Sequence, residues 1–171
     1  MTTKIKYTAM ENEYWLLGIH RTIIAEGKDT CDQYDFIEAI GEQGIKTPPH
    51  IHKNYSETEY VIEGELTIFT DEETITLKAG EGYTIPKGKP HALSFTGSPL
   101  TRTITIFSPA GFADVIRLSG IPGEYSAGLP NAKTDMKHFV TLSEKIGDLT
   151  LGPAGTLPEV PLKLMIAMNI G

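Results

Sequence analysis

A chain of 171 residues has room for one domain with a sizeable core and is short for two. Its formal charge of −7, with Lys and Arg scattered in the sequence, argues against a nucleic-acid backbone or an anionic lipid surface as partner. No segment approaches the ~20 apolar residues of a membrane span, the start MTTKIKYTAMENEYW lacks the unbroken apolar stretch of a signal peptide, and Cys31 has no second cysteine to pair with, so a reducing, cytoplasmic setting is expected.

Residues 1–13 are rich in Thr, Lys and Glu and read as an arm, ordered only if it packs on a sheet or on another subunit. Trp15 to Gly18 and Arg21 to Ala25 read as short strands before the turn signal EGKDT. His20, between them, reads as a packed or surface histidine. Gln33 to Ile40 is β-compatible, Gly41 and Gly44 mark a turn, and Pro48-Pro49 enforces extended backbone. From Glu57 the run ETEYVIEGELTIFT, then DEE, then TITLKAG predicts a pair of strands around an acidic turn. Glu57, Glu59 and Val61 share one face of it, and Thr58, Tyr60 and Ile62 share the other. Gly80 to Pro90 reads as a loop that places a strand start. Leu93 and Phe95, then Thr101 to Phe107, supply further strands, with Gly97 and Pro99 in the turn between them.

After Phe107 the pattern turns helical. Ser108 is a candidate cap with Pro109 at the first helical position, and Phe112, Val115 and Ile116 recur at helical spacing until Gly120. A second helix is predicted from Asp135 to Lys145, with Phe139, Leu142 and Ile146 on one face and Gly147 as its stop. His138, beside that face, reads as a surface or boundary residue. The last stretch, PLKLMIAMNIG, is apolar and too short to span a bilayer; it is expected to pack on the rest of the chain or on a partner.

The chemistry concentrates between Gly44 and His91, where three of the five histidines lie. His50 and His52, two apart in an extended chain, put both imidazoles on one face, and Glu57 follows at the start of a strand. His91 is set among Pro86, Gly88 and Pro90, so a hairpin can return it across the sheet as a fourth ligand. Three imidazoles and one carboxylate suit a divalent iron, manganese, nickel, cobalt or zinc ion and leave positions open for water or substrate; the sequence does not choose among them. An isolated His-x-His would read as two surface histidines, whereas Pro48-Pro49 stiffens the approach of this pair and so preorganises them.

The spacing resembles the two signature motifs of the cupin family. Gly44, five residues, His50, one, His52, four, Glu57, six, Gly64 follows the first, and Gly80, five, Pro86, one, Gly88, two, His91 follows the second, with a link of fifteen residues between the motifs. One departure is Phe95, at a position where the second motif usually carries Asn; that Asn is not a ligand. The resemblance implies an all-β, single-domain cupin over residues 1–171, a jelly-roll (double-stranded β-helix) barrel over about 14–108, and two short C-terminal helices within an extension from about 109 to 171. It implies His50, His52, Glu57 and His91 as ligands of one divalent transition metal; the outward Tyr60 and Ile62 need cover, from the chain's own termini or a second subunit, and with the apolar end segments and the family's habit of pairing barrels they predict a homodimer. SPAGF and GDLTLGP resemble the tail of bacterial cupins related to quercetin dioxygenases, which implies a dioxygenase acting on a small metal-chelating organic substrate. A metal-dependent isomerase or lyase and a non-catalytic binding module remain open. Glu59, two residues beyond Glu57, should face the same cavity, either as a proton-transfer group or in an ion pair with Arg102 or Arg21.

Overall fold

The computed structural model describes residues 11–158; the expectations for the N-terminal arm before Glu11 and for PLKLMIAMNIG lie outside the described residues. Strands β1 (Glu13–Leu16) and β2 (Ile19–Ala25) form a hairpin whose two turn residues, Leu17 (φ 58) and Gly18 (φ 79), are both left-handed, the turn that matches strand twist. Leu17 adopts that conformation against its own preference, and its N–H is held by Thr134 Oγ1 at 2.8 Å. EGKDT is not a simple turn but contains a one-turn helix, α1 (Gly27–Thr30), capped reciprocally by Glu26 and Asp29.

Then come β3 (Asp35–Glu42), β4 (His50–His52), β5 (Ser56–Glu63), β6 (Glu65–Thr70), β7 (Thr74–Lys78), β8 (Gly82–Ile85), β9 (His91–Phe95) and β10 (Leu100–Ser108). The expected pair of strands from Glu57 onward is therefore three. Gly64 (φ +78) breaks the long run with a left-handed residue, where only glycine fits since a Cβ would stand 2.3 Å from the Leu100 carbonyl oxygen, and β5 and β6 then enter different sheets. The expected loop from Gly80 to Pro90 also holds a strand, β8, paired with β5.

The first helix is a second correction. Ser108 ends β10, with its Oγ donating to the Gln33 carbonyl (2.8 Å), and helix α2 runs over Phe112–Ser119. Its orphan N–H groups at Gly111 and Ala113 are satisfied by Asp35 Oδ2 (2.7 and 3.0 Å) from β3, so a distant carboxylate replaces the local cap. After β11 (Ile121–Pro122), helix α3 (Met136–Ile146) starts on Asp135, whose side chain accepts from the His138 N–H, and stops at Gly147; β12 (Asp148–Thr150) follows. His138 is exposed, while His20 is buried edge-on against Trp15.

Two sheets face each other, in the orders β11-β1-β2-β3-β10-β5-β8 and β12-β4-β9-β6-β7. Two apolar cores lie inside. Ile19, Val61, Leu66, Ile68 and Phe95 belong to one between the sheets; Ile23, Ile37, Tyr55, Phe107 and residues of α2 and α3 belong to the other. Strand β2 passes from one core at Ile19 to the other at Ile23, and a polar cluster sits where the two meet.

Candidate metal centre

Strand β4 carries His50 and His52 on one face and pairs with β9 so that His50 stands opposite His91. Glu57 comes from β5 in the other sheet, so the two sheets converge on one point. There the four side chains each offer one ligand atom, and these atoms all lie within 4.8 Å of one another.

The second ring nitrogens decide whether a cation fits. Nδ1–H of His50 donates to the Pro48 carbonyl (2.8 Å), that of His91 to the Lys89 carbonyl (2.9 Å), and that of His52 to Asp148 Oδ1 (2.7 Å). With Nδ1 protonated, each ring in its neutral form turns an Nε2 lone pair toward the centre. His50 Nε2 is 3.2 Å from His52 Nε2, and Glu57 Oε2 is 2.8 Å from His52 Nε2 and 3.2 Å from His91 Nε2. Lone pairs aimed at one another in this way need a shared proton or a cation between them. The donor set therefore fits a metal ion.

The electrostatics agree. Burial, aided by the neighbouring His91 and His52, drives the His50 pKa well below its ordinary value, so it is neutral. Burial opposes charge on His52 as well, but hydrogen bonds to Asp148 and Glu57 outweigh it and push its pKa up to about 9. For Glu57 burial acts upward, yet the bonds from His52 and His91 win and hold it well below the usual carboxylate range. Glu59 lies on the same inward face and is 2 % exposed, as its alternation with Glu57 predicts. Burial and then the Glu57 charge raise its pKa well above the carboxylate range, which favours the neutral acid. Its Oε1 accepts from Thr105 Oγ1 (2.8 Å) and its Oε2 has no partner. Neither expected ion pair is made: Arg102 lies on the outer face bound to Glu38, and Arg21 faces inward without a carboxylate within ion-pair distance among the described residues.

A second layer went unforeseen. Asp148 orients His52 and also accepts from the Tyr55 hydroxyl (2.5 Å), while the Tyr55 ring stacks on the His52 imidazole at 4.2 Å. The sign available in the sequence was an acidic residue directly after the glycine that stops α3. A small cavity of ≈ 40 Å³ opens beside His50, His52 and Glu57, walled by Leu17, Arg21, Leu93, Phe107 and Phe112. Beyond Leu17 and Pro48 lies a wider hollow of ≈ 680 Å³, bordered by Trp15, Leu129 and Met136.

Residues 36–107 match the family model of the cupin domain. Residues 36–107 thus carry a cupin domain, in a chain that resembles the quercetinase-like cupins. The chain is 27 % identical to quercetin 2,3-dioxygenase of Bacillus subtilis (strain 168), over 88 % of this chain and 50 % of that protein, so it spans about half the length of that relative. Among solved structures, an RmlC-like cupin from Shewanella frigidimarina matches with a TM-score of 0.52 at 21 % identity, over 63 % of this chain and 93 % of that one. Pac13, a nucleoside dehydratase from Streptomyces, matches at 0.53 and 22 %, over 64 % and 85 %. At such identities these two likenesses speak for the fold alone. No helix among the described residues is long and apolar enough to cross a membrane.

Proposed function

We propose that this cupin is a metal-dependent dioxygenase acting on a small organic molecule that chelates the ion, with His50, His52, Glu57 and His91 as ligands. The observation that carries the reading is the convergence of three Nδ1-anchored imidazoles and one carboxylate within 4.8 Å at the end of an apolar cavity. A divalent ion bound there supplies Lewis acidity and, when redox-active, a means of activating dioxygen. The chain does the rest. His50 and His91 are fixed by backbone carbonyls and His52 by Asp148, which preorganises the donors; Leu17, Phe107 and Phe112 exclude water from the open side. The similarity to a quercetin dioxygenase over 88 % of this chain supports oxygenation. Its substrate is not carried over, because a cavity of ≈ 40 Å³ admits only the chelating end of a molecule.

Glu59 favours a second reading, a metal-assisted isomerase or lyase. A buried carboxyl two residues from Glu57, held at Oε1 by Thr105 and free at Oε2, is equipped to give or take a proton, and such chemistry consumes no oxygen. Elemental analysis of freshly purified protein, followed by oxygen uptake with flavonols, diketones and catechols, tests the first reading. Stoichiometric iron, manganese, nickel or cobalt with substrate-dependent uptake is expected, and His52→Ala or His91→Ala should lose both metal and uptake. Metal retained at full stoichiometry in either variant sinks the ligand assignment; turnover without uptake moves the conclusion to the second reading. There Glu59→Gln should keep metal and fold but lose ~10²-fold or more in turnover.

A further inference from the structure

We infer that Arg21 is the anchor for a carboxylate on the substrate, and that the substrate is a small organic acid with an oxygen donor beside its carboxylate; this rests on the proposed reading of the cavity as a metal-bearing substrate site. Ile19, Arg21 and Ile23 alternate on the inner face of β2, where the flanking residues are 0 % and 2 % exposed and Arg21 is 6 % exposed. A guanidinium keeps its proton under all ordinary conditions, so this is a fixed positive charge among core residues. It borders the same cavity as His50, His52 and Glu57.

Among the described residues this charge has no hydrogen-bond or ion-pair partner. Its Nε is buried without a hydrogen-bond acceptor, and the guanidinium makes no hydrogen bond or ion pair to any described residue. The other two arginines are satisfied: Arg102 by Glu38, and Arg117 by both oxygens of Glu26 (2.8 and 3.0 Å). Of the carboxylates that share the site, Glu57 is engaged with His52 and His91 and Asp148 with His52 and Tyr55, while Glu59 accepts from Thr105 at Oε1, keeps Oε2 unpartnered and does not come within ion-pair distance of Arg21. The Phe112 ring, 5.8 Å from Cζ, steadies the cation without neutralising it. A buried cation kept for structure alone would have its donors filled, since an unpaired one is costly. The planar fork of a guanidinium matches the two oxygens of a carboxylate, which makes an incoming carboxylate the missing counterpart. The ≈ 40 Å³ cavity limits that end of the ligand to a few heavy atoms. An uncharged polyphenol offers Arg21 no such group.

The test uses the metal-loaded full chain and titrates malonate against its uncharged analogue malonamide, by calorimetry and thermal shift. Malonate is expected to bind and raise the melting temperature, and malonamide to do neither. Arg21→Gln should keep its metal, melt no lower than the parent, and bind malonate about 30-fold or more weakly; Arg21→Lys, which keeps the charge but loses the fork, should fall between. A metal-loaded parent that binds both probes alike overturns the inference, and that comparison stands even if Arg21→Gln fails to fold. Unchanged malonate affinity in Arg21→Gln overturns it as well. Failure of the metal reading has a different signature: no metal in the parent protein.

Discussion

His52 lies between two carboxylates, Asp148 at 2.7 Å from Nδ1 and Glu57 at 2.8 Å from Nε2. Together they hold its imidazolium up to a pKa of about 9 against the cost of burial. A metal ion takes Nε2 only in its neutral form, so loading below that pH must expel a proton. About one proton per ion should be released at pH 7.5, and affinity should tighten roughly tenfold per pH unit from 7 toward 9. Titration calorimetry in buffers of different ionisation enthalpy reads the proton; heats that do not vary with buffer would refute the assignment. Stability of the metal-free protein follows the same group. Its folded pKa is raised above the unfolded value of about 6.5, so its contribution is complete below about 6.5 and is lost as pH rises through about 9. Metal-free protein should therefore melt lower at pH 9 than at pH 6.5, and metal-loaded protein should not show that loss. The ligands His50, His52, Glu57 and His91 were legible in the sequence because their spacing is local to two short motifs. Asp148 was not, since its partner is ninety-six residues away and only the folded chain brings β12 beside β4.

At the scale of elements, the stop of α3 delivers that aspartate. Gly147 has φ +102, and its carbonyl accepts from the Lys53 N–H (3.1 Å), which ties the helix end to the residue after His52. A Cβ at Gly147 would meet Asn54 Nδ2 at 2.3 Å, and Asn54 in turn donates to the Ile146 carbonyl (3.0 Å). Gly147→Ala should cost about 1–2 kcal/mol of stability through its backbone conformation alone. By moving Asp148 it should also weaken metal binding about tenfold or more. Gly128→Ala is the control: φ is +79 there too, but a Cβ meets nothing within 4 Å, so it should lose stability and keep its metal affinity. Thermal melts and metal titration of the two variants separate the effects, and equal metal affinities would refute the link between α3 and the site. Elements with their own periodicity were legible, as in β5, where Glu57, Glu59 and Val61 face inward as alternation requires. The start of α2 was not, because Ser108-Pro109 offered a local cap and Asp35, from a strand seventy-odd residues earlier, supplied the effective one.

Over the whole molecule, the same alternation that turns Glu57, Glu59 and Val61 inward turns Tyr60 and Ile62 outward, and they are 47 % and 41 % exposed. Their sheet neighbours extend the apolar surface. Tyr60 is in register with Ile104 of β10, and Ile106 stands beside Phe36 of β3, all pointing away from the barrel interior. A β-sheet face of this kind is a docking surface for a second sheet, and a stable pair of subunits buries about 800 Å² from each partner. On this face Arg102 and Glu38 bind each other, and the exposed Glu42 and Glu63 lie at the end of the apolar stripe. We expect a homodimer through this face. Light scattering at micromolar concentration should give about twice the 18.7 kDa of one chain. The double variant Tyr60→Lys/Ile62→Lys should scatter as a monomer and still bind metal, because both side chains point away from the ligand set. An 18.7 kDa species in the parent protein would refute the dimer, and a double variant that remained dimeric would move the interface to another face.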